Sequence, residues 1–234
     1  MTRNLMAAAI MFASLFTGGS AYAGSFADFE NALRDAYGDY RSALFMTNTG
    51  KAEGSAKAMA SLTTKWTTID KTWGANPPPQ YADDPKWHGT LHDVSVEFSK
   101  AAEEISGSKF AEAHQTLERV RELIGELHHR NGIVTFSDRM NSYHAIMEKV
   151  IGGAGAKPLT IVEQAAVLKY LAEEALAQPP ADALASSEFA GLAKAMNASV
   201  DNVLEASRAG DPAKIKTAID GLKPAYAKLF VKFG

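Results

Sequence analysis

Hydrophobic residues recur three and four positions apart along most of the chain, which is the spacing of amphipathic helices. No stretch alternates apolar and polar residues for long enough to predict a strand. The apolar stripes that predict helices one to four are Phe26–Leu44, Met59–Trp73, Trp87–Ile105 and Phe110–Leu127. Those that predict helices five to eight are Met140–Val150, the segment from Thr160 to Pro179, Phe189–Leu204 and Ile215–Phe233. The pattern therefore predicts an all-α protein.

Glycine and proline mark where these helices stop. Pro77-Pro78-Pro79 ends helix two and predicts an extended linker, because proline has no N–H and restricts the preceding residue. Asn131-Gly132 ends helix four, and Pro179-Pro180 ends helix six. Pro224 lies inside helix eight and predicts a kink there.

Short polar residues mark where helices start. Ser106-Gly107-Ser108 separates helices three and four and supplies an N-cap, and Ser137 is the candidate cap of helix five. Thr160-Ile161-Val162-Glu163 has the pattern of a capping box for helix six. Helix seven starts near Ser187, and Asp211-Pro212 combines an N-cap with proline at the first helical position of helix eight.

The eight helices divide into two sets of four. Helices four and eight align without gaps at an offset of 102 residues, from Leu117 with Ile219 to Gly132 with Gly234. We predict two tandem four-helix bundles with up-down-up-down topology, an N-terminal one over residues 24–132 and a C-terminal one over residues 133–234. The alternative is a single mixed helical domain in which helix five packs on the first bundle.

The first 23 residues have the features of a secretory signal peptide. Arg3 precedes an apolar run, Leu5–Phe16, that is too short to cross a bilayer, and Ala21-Tyr22-Ala23 fits a cleavage site. Residues 1–23 are therefore predicted to be a cleaved signal that directs the protein to the periplasm; the alternative is a membrane anchor. No later apolar run is long enough for a membrane span.

Composition excludes several functional classes. The chain has 234 residues, 46% hydrophobic, with no cysteine and a formal net charge of −3. Such a chain is not disordered, and it cannot hold a metal through cysteine or attach haem covalently. A negative net charge does not favour binding to nucleic acid, so nucleic acid is not a predicted partner. No nucleophile motif, phosphate loop or dinucleotide fingerprint is present, so we do not predict an enzyme.

The histidines are concentrated in one stretch of the chain. All six lie between residues 88 and 144: His88, His92, His114, His128, His129 and His144. In an up-down-up-down bundle, the start of helix three and the end of helix four lie at the same end. The predicted topology therefore brings His88 and His92 to the bundle end that holds His128. Asp70 and Glu30 belong to that end as well.

The helical period indicates which of these side chains face inward. His128 lies about 40° from Ile124, inside the apolar stripe, and Asp70 is about 40° from Trp66. His88 and His92 are spaced i,i+4, so both imidazoles can reach one ion. We predict a site for copper, iron or zinc made by His88, His92 and His128, with Asp70 or Glu30 as the oxygen donor and His144 as a further candidate. The alternative is that these histidines are surface groups or a capped core residue.

The leading hypothesis is a periplasmic protein that carries, buffers or senses copper or iron, in which a periplasmic partner protein is possible. A second hypothesis is non-covalent binding of b-type haem between helices, with His128 and a methionine as the axial pair. A third is a metal-free binding or scaffold module. The third hypothesis predicts that replacing His88 and His128 leaves function intact.

Overall fold

The computed structural model describes residues 19–234, with side chains from Ser25 onward. Its α-helices are α1 (Gly19–Asn48), α2 (Ala52–Trp73), α3 (Trp87–Ser106), α4 (Phe110–Arg130), α5 (Phe136–Gly152), α6 (Pro158–Ala177), α7 (Ala181–Leu184), α8 (Ser187–Ala209), α9 (Pro212–Asp220) and α10 (Leu222–Phe233). A 3₁₀ turn, Pro79–Tyr81, lies in the linker that was predicted to be extended. Within residues 19–234 there is no strand, so the all-α prediction is confirmed.

Most of the predicted signal peptide falls outside the described residues. Arg3 and the apolar run Leu5–Phe16 lie there, whereas Ala21–Ala23 falls within α1. Cleavage after Ala23 stays a prediction. Among the helices described, none is both long and apolar enough to cross a membrane.

The start of predicted helix eight and its interruption are both present. Asp211 caps α9, because its Oδ1 accepts the N–H groups of Ala213 at 3.0 Å and Lys214 at 3.2 Å. The predicted helix is then divided into α9 and α10 at Gly221. Pro224 explains the break, since it has no N–H to donate one turn back.

Three predicted helix caps are wrong. Thr135, and not Ser137, caps α5: its hydroxyl accepts the Asp138 N–H, and the Asp138 carboxylate accepts the Thr135 N–H. α6 begins at Pro158, whose fixed φ suits the first helical position, so the Thr160–Glu163 pattern lies inside the helix. The residue at the N-cap of α4 is Lys109, without a side-chain cap, and not a serine of the 106–108 segment.

Helices α1 to α4 pack in a ring, and α5 to α10 form a second group. α1 contacts α2 and α4, and α3 contacts α2 and α4; α6 then packs on α5 and α8, and α8 on α9 and α10. α10 also packs on α1, where Arg41 donates to the carbonyls of Val231 and Lys232, each at 3.3 Å. The buried apolar side chains form one cluster that includes residues of both groups. Division into two domains at residue 132 therefore stays a prediction.

Aromatic side chains fill the end of the ring where the 3₁₀ turn lies. The Tyr81 ring is 5.3 Å from the Phe29 ring and 5.0 Å from the Trp87 ring, between centroids. Trp66 and Trp87 are buried, and Trp73 is partly buried against the same core. This packing fixes the 3₁₀ turn against α1 and places the Tyr81 hydroxyl beside Glu30.

Candidate functional site

His128 is a buried histidine held in one orientation by Asp138. It lies in the last turn of α4, with 3% of its surface exposed, and its Nδ1 is 2.8 Å from Asp138 Oδ2. That same oxygen accepts the Thr135 backbone N–H at 2.7 Å and the Thr135 hydroxyl at 2.6 Å. Because a carboxylate only accepts, His128 Nδ1 carries a proton. The cap of α5 thus fixes the carboxylate that orients the imidazole.

The other nitrogen of the ring, Nε2, is buried and has no hydrogen-bond partner among the described residues. Its nearest charged neighbour is Oε2 of Glu30 on α1, at 3.8 Å, a separation too long for a hydrogen bond. Oε1 of Glu30 accepts the Tyr81 hydroxyl at 2.5 Å. Glu30 is therefore held from one side, while its second oxygen faces the unpartnered nitrogen.

These residues line a cavity of about 590 Å³. Its walls are α1, the end of α4, the first turn of α5, the 178–180 connection after α6 and the start of α7. His128, Glu30 and Asp138 contribute to one side, and Arg34 and Arg139 also line it. His128 thus lines the cavity, while its unpartnered nitrogen is itself buried from solvent.

The two carboxylates stabilise a proton on His128. Burial lowers the pKa of His128, but the hydrogen bond and charge of Asp138, with the charge of Glu30, outweigh burial and raise the pKa above its ordinary value. Burial also raises the pKa of Glu30, against the opposing effects of His128 and the Tyr81 hydroxyl. A metal ion at Nε2 must therefore displace a proton from a histidine that favours being charged.

The structure brings Glu30 and His128 together but leaves three other predicted ligands on the surface. His88 and His92 are exposed on the outer face of α3, and Asp70 is exposed on α2. His88 and His92 each follow a buried residue, Trp87 and Leu91, and one step of about 100° turns a side chain away from the core. From Ser25 onward, no group of three or more histidine and carboxylate side chains is arranged to hold a metal.

His144 belongs to a different cluster. Its Nδ1 is 2.7 Å from Nη1 of the buried Arg121 on α4, and its Nε2 is 3.4 Å from Glu148 Oε1. Its ring packs against the ring of Tyr226, with centroids 5.2 Å apart. Burial, and then the charge of Arg121, lower the pKa of His144 to about 4. Since Arg121 donates to Nδ1, this nitrogen is an acceptor and the ring is neutral.

Two residues of the site have no place in the sequence prediction. Asp138 has a signal in the sequence, because Thr135-x-x-Asp138 has the spacing of a reciprocal cap. Tyr81 follows a proline run and has no such signal, since only the packing of the 3₁₀ turn brings its hydroxyl to Glu30.

Comparisons with protein-family models, curated proteins and solved structures find no match for this chain. Its function is therefore inferred from the site itself, which combines an oriented imidazole, a facing carboxylate and an adjoining cavity.

Proposed function

We propose that the protein binds one divalent transition-metal ion between His128 Nε2 and Glu30, and that it carries or buffers this ion. The observation that supports the proposal is the unpartnered, buried Nε2 that faces Glu30 Oε2 at 3.8 Å. Two ligands about 2.1 Å from one ion lie about 3.4 Å apart at a tetrahedral angle and about 3.6 Å apart at 120°. A shift of a few tenths of an ångström therefore suffices to bring both atoms onto one ion.

The hydrogen bond from His128 to Asp138 also favours metal binding. Histidines that bind metals commonly donate their second N–H to a carboxylate, which fixes the ring and makes the free nitrogen more basic. Asp138 has this role here, at 2.8 Å from Nδ1. Imidazole with one carboxylate suits zinc, copper and iron.

Two protein ligands indicate exchangeable binding. Structural zinc sites are closed by four protein ligands, whereas the described residues hold no group of three ligands, and His88, His92 and Asp70 lie exposed. An ion with two protein ligands has further coordination positions, which solvent or another molecule from the adjoining cavity would fill. This geometry favours a carrier or buffer, and we keep the predicted periplasmic location and the two-bundle organisation as parts of the proposal.

Calorimetric titration of the purified protein with Zn²⁺, Cu²⁺ and Fe²⁺ tests the proposal. The exposed His88–His92 pair is itself spaced to chelate a metal, so the titrations use a His88→Gln, His92→Gln background. We expect this background to bind one equivalent. Adding His128→Gln removes binding, and adding Asp138→Asn weakens binding about 10- to 100-fold.

His129→Gln is the matched control, because His129 is the exposed neighbour of His128 on the same helix. It is expected to leave affinity unchanged. Failure of the background protein to bind any of the three metals more tightly than about micromolar contradicts the proposal. So does a His128→Gln variant that binds as well as the background.

The haem hypothesis stays a prediction. His128 is positioned at a cavity, but no methionine is among the described residues that line it. Met140 and Met147 are fully buried in the core instead.

A further inference from the structure

We propose that the ion is bound together with a small anionic chelator, a di- or tricarboxylate that occupies the cavity beside Glu30 and His128. The inference rests on the proposed function, because the chelator is held partly through the ion. It identifies the class of ligand as a metal–carboxylate complex and not a hydrated ion.

The size of the cavity is the first argument. A volume of about 590 Å³ greatly exceeds the space taken by an ion and a few waters, since each water occupies about 30 Å³. Sites for small organic molecules typically have volumes of about 300–1,000 Å³. Among the described residues, only His128 and Glu30 face each other at a suitable separation, so an ion there has vacant coordination positions. A chelator occupies part of the space and fills these positions.

The cations that line the cavity are the second argument. Arg34 donates to Asp182 Oδ1 at 2.7 Å, and Arg139 donates to Gln178 Oε1 at 2.9 Å. The Asp182 side chain is 54% exposed, so its ion pair with Arg34 lies at the surface, where such pairs contribute little. Arg34 also donates to the Phe233 carbonyl at 3.3 Å, and Arg139 Nη1 donates to the Val134 carbonyl at 3.1 Å. The guanidinium groups can keep these contacts and exchange Asp182 and Gln178 for a carboxylate of the chelator.

The first turn of α5 supplies a third attraction for an anion. Phe136 and Ser137 line the cavity at the first two positions of this 17-residue helix. The N–H groups at these positions have no acceptor inside the helix. The positive end of the helix dipole therefore faces the same space as the two arginines.

The balance of charge couples the anion to the metal. Three carboxylates, Glu30, Asp138 and Asp182, and two arginines line the cavity. Whether or not a proton leaves His128, a divalent ion makes the net charge of this cavity more positive. An anionic chelator is therefore attracted more strongly after the ion binds than before. By thermodynamic linkage, each ligand therefore strengthens binding of the other.

Equilibrium dialysis with radiolabelled citrate, with and without Zn²⁺, tests the inference on the His88→Gln, His92→Gln background. We expect one citrate to bind when Zn²⁺ is present, and affinity to fall at least about tenfold when Zn²⁺ is omitted. Arg34→Gln and Arg139→Gln are each expected to weaken citrate binding about tenfold, while calorimetry shows that the affinity for Zn²⁺ alone does not fall. Arg208→Gln is the control, since Arg208 is exposed on α8 and away from this cavity.

The outcomes separate this inference from the proposed function. Binding of Zn²⁺ alone, with no citrate retained beside it, overturns the inference and leaves the proposed function intact. Citrate that binds equally without Zn²⁺, or that removes Zn²⁺ from the protein, overturns the inference too. If inorganic phosphate binds the Zn²⁺-loaded protein as tightly as citrate, the site takes a simple anion, and the inference of a chelator is overturned. Failure to bind Zn²⁺, Cu²⁺ or Fe²⁺ at all contradicts both proposals.

Discussion

Asp138→Asn is the substitution that most directly tests how His128 is held. Asp138 Oδ2 accepts three hydrogen bonds, from His128 Nδ1 and from the Thr135 N–H and hydroxyl. Asparagine keeps the shape of the side chain and can still accept the N–H of residue 135. The substitution therefore removes mainly the negative charge opposite His128.

The expected loss of stability follows from that contact. A hydrogen bond to a charged group contributes about 1.5–3 kcal/mol. The site is mostly buried, with side-chain exposures of 4% for His128 and 16% for Asp138, so solvent screening reduces this contribution only slightly. We expect the free energy of unfolding to fall by about 2 kcal/mol at pH 6 in Asp138→Asn.

The loss must depend on pH in a definite direction. The pKa of His128 is raised in the folded protein, so the proton stabilises the fold fully below the unfolded pKa of about 6.5. This stabilisation disappears as pH rises through the raised folded pKa. The difference between wild type and Asp138→Asn is therefore larger at pH 6 than at alkaline pH. Removing the charge also lowers the pKa of His128, because burial is then less opposed.

The assay is urea unfolding followed by circular dichroism on metal-free protein at pH 6 and at pH 9, with the pKa of His128 read from NMR titration. Asp93→Asn, at an exposed carboxylate on α3, is the control and is expected to change neither quantity. A stability loss in Asp138→Asn that is equal at both pH values, with an unchanged pKa of His128, refutes the assignment of a proton held against Asp138.

Three further predictions concern other parts of the chain. NMR titration should show that His144 titrates near pH 4. Because its folded pKa is lowered, the free energy of unfolding should fall as pH drops from about 6.5 towards 4. Arg121→Gln should raise the pKa of His144. In urea unfolding, Gly210→Ala should lower the free energy of unfolding by about 1 kcal/mol, because Gly210 has φ +72°. Gly191→Ala is the control within α8: a Cβ there meets open space, so this substitution should raise the free energy of unfolding by up to about 1 kcal/mol. Asp211→Ala should cost about 1 kcal/mol through loss of the α9 cap, and Asp211→Asn should retain nearly all of that stability.

The sequence predicts the helices well and their caps less well. The apolar stripes span many residues, so each helix is specified by several side chains that must face a core. A cap depends on one or two residues, and neighbouring candidates compete. Thr135 replaces Ser137 in α5 because only residue 135 has a carboxylate three positions later, at Asp138, to complete the reciprocal pair.

Burial of His128 can be predicted from the sequence alone, since it shares the apolar stripe of Ile124 and Leu127 along one helix. The partners of its two ring nitrogens cannot be predicted in this way. Asp138 reaches Nδ1 only because the chain turns at Gly132, where φ is +69°, and returns along α4. Glu30 reaches Nε2 only because α1 and α4 pack side by side.

The helical class and the inward position of His128 can be predicted from the sequence, because both follow from the period of a single helix. Which histidines meet depends on how the helices pack. The histidines that are close in sequence do not cluster in space. Within residues 19–234, no helix covers the flanks that hold His88 and His92, and His144 contacts Arg121 instead. A flanking residue is buried or exposed according to where the next helix packs, and that depends on residues far away in sequence.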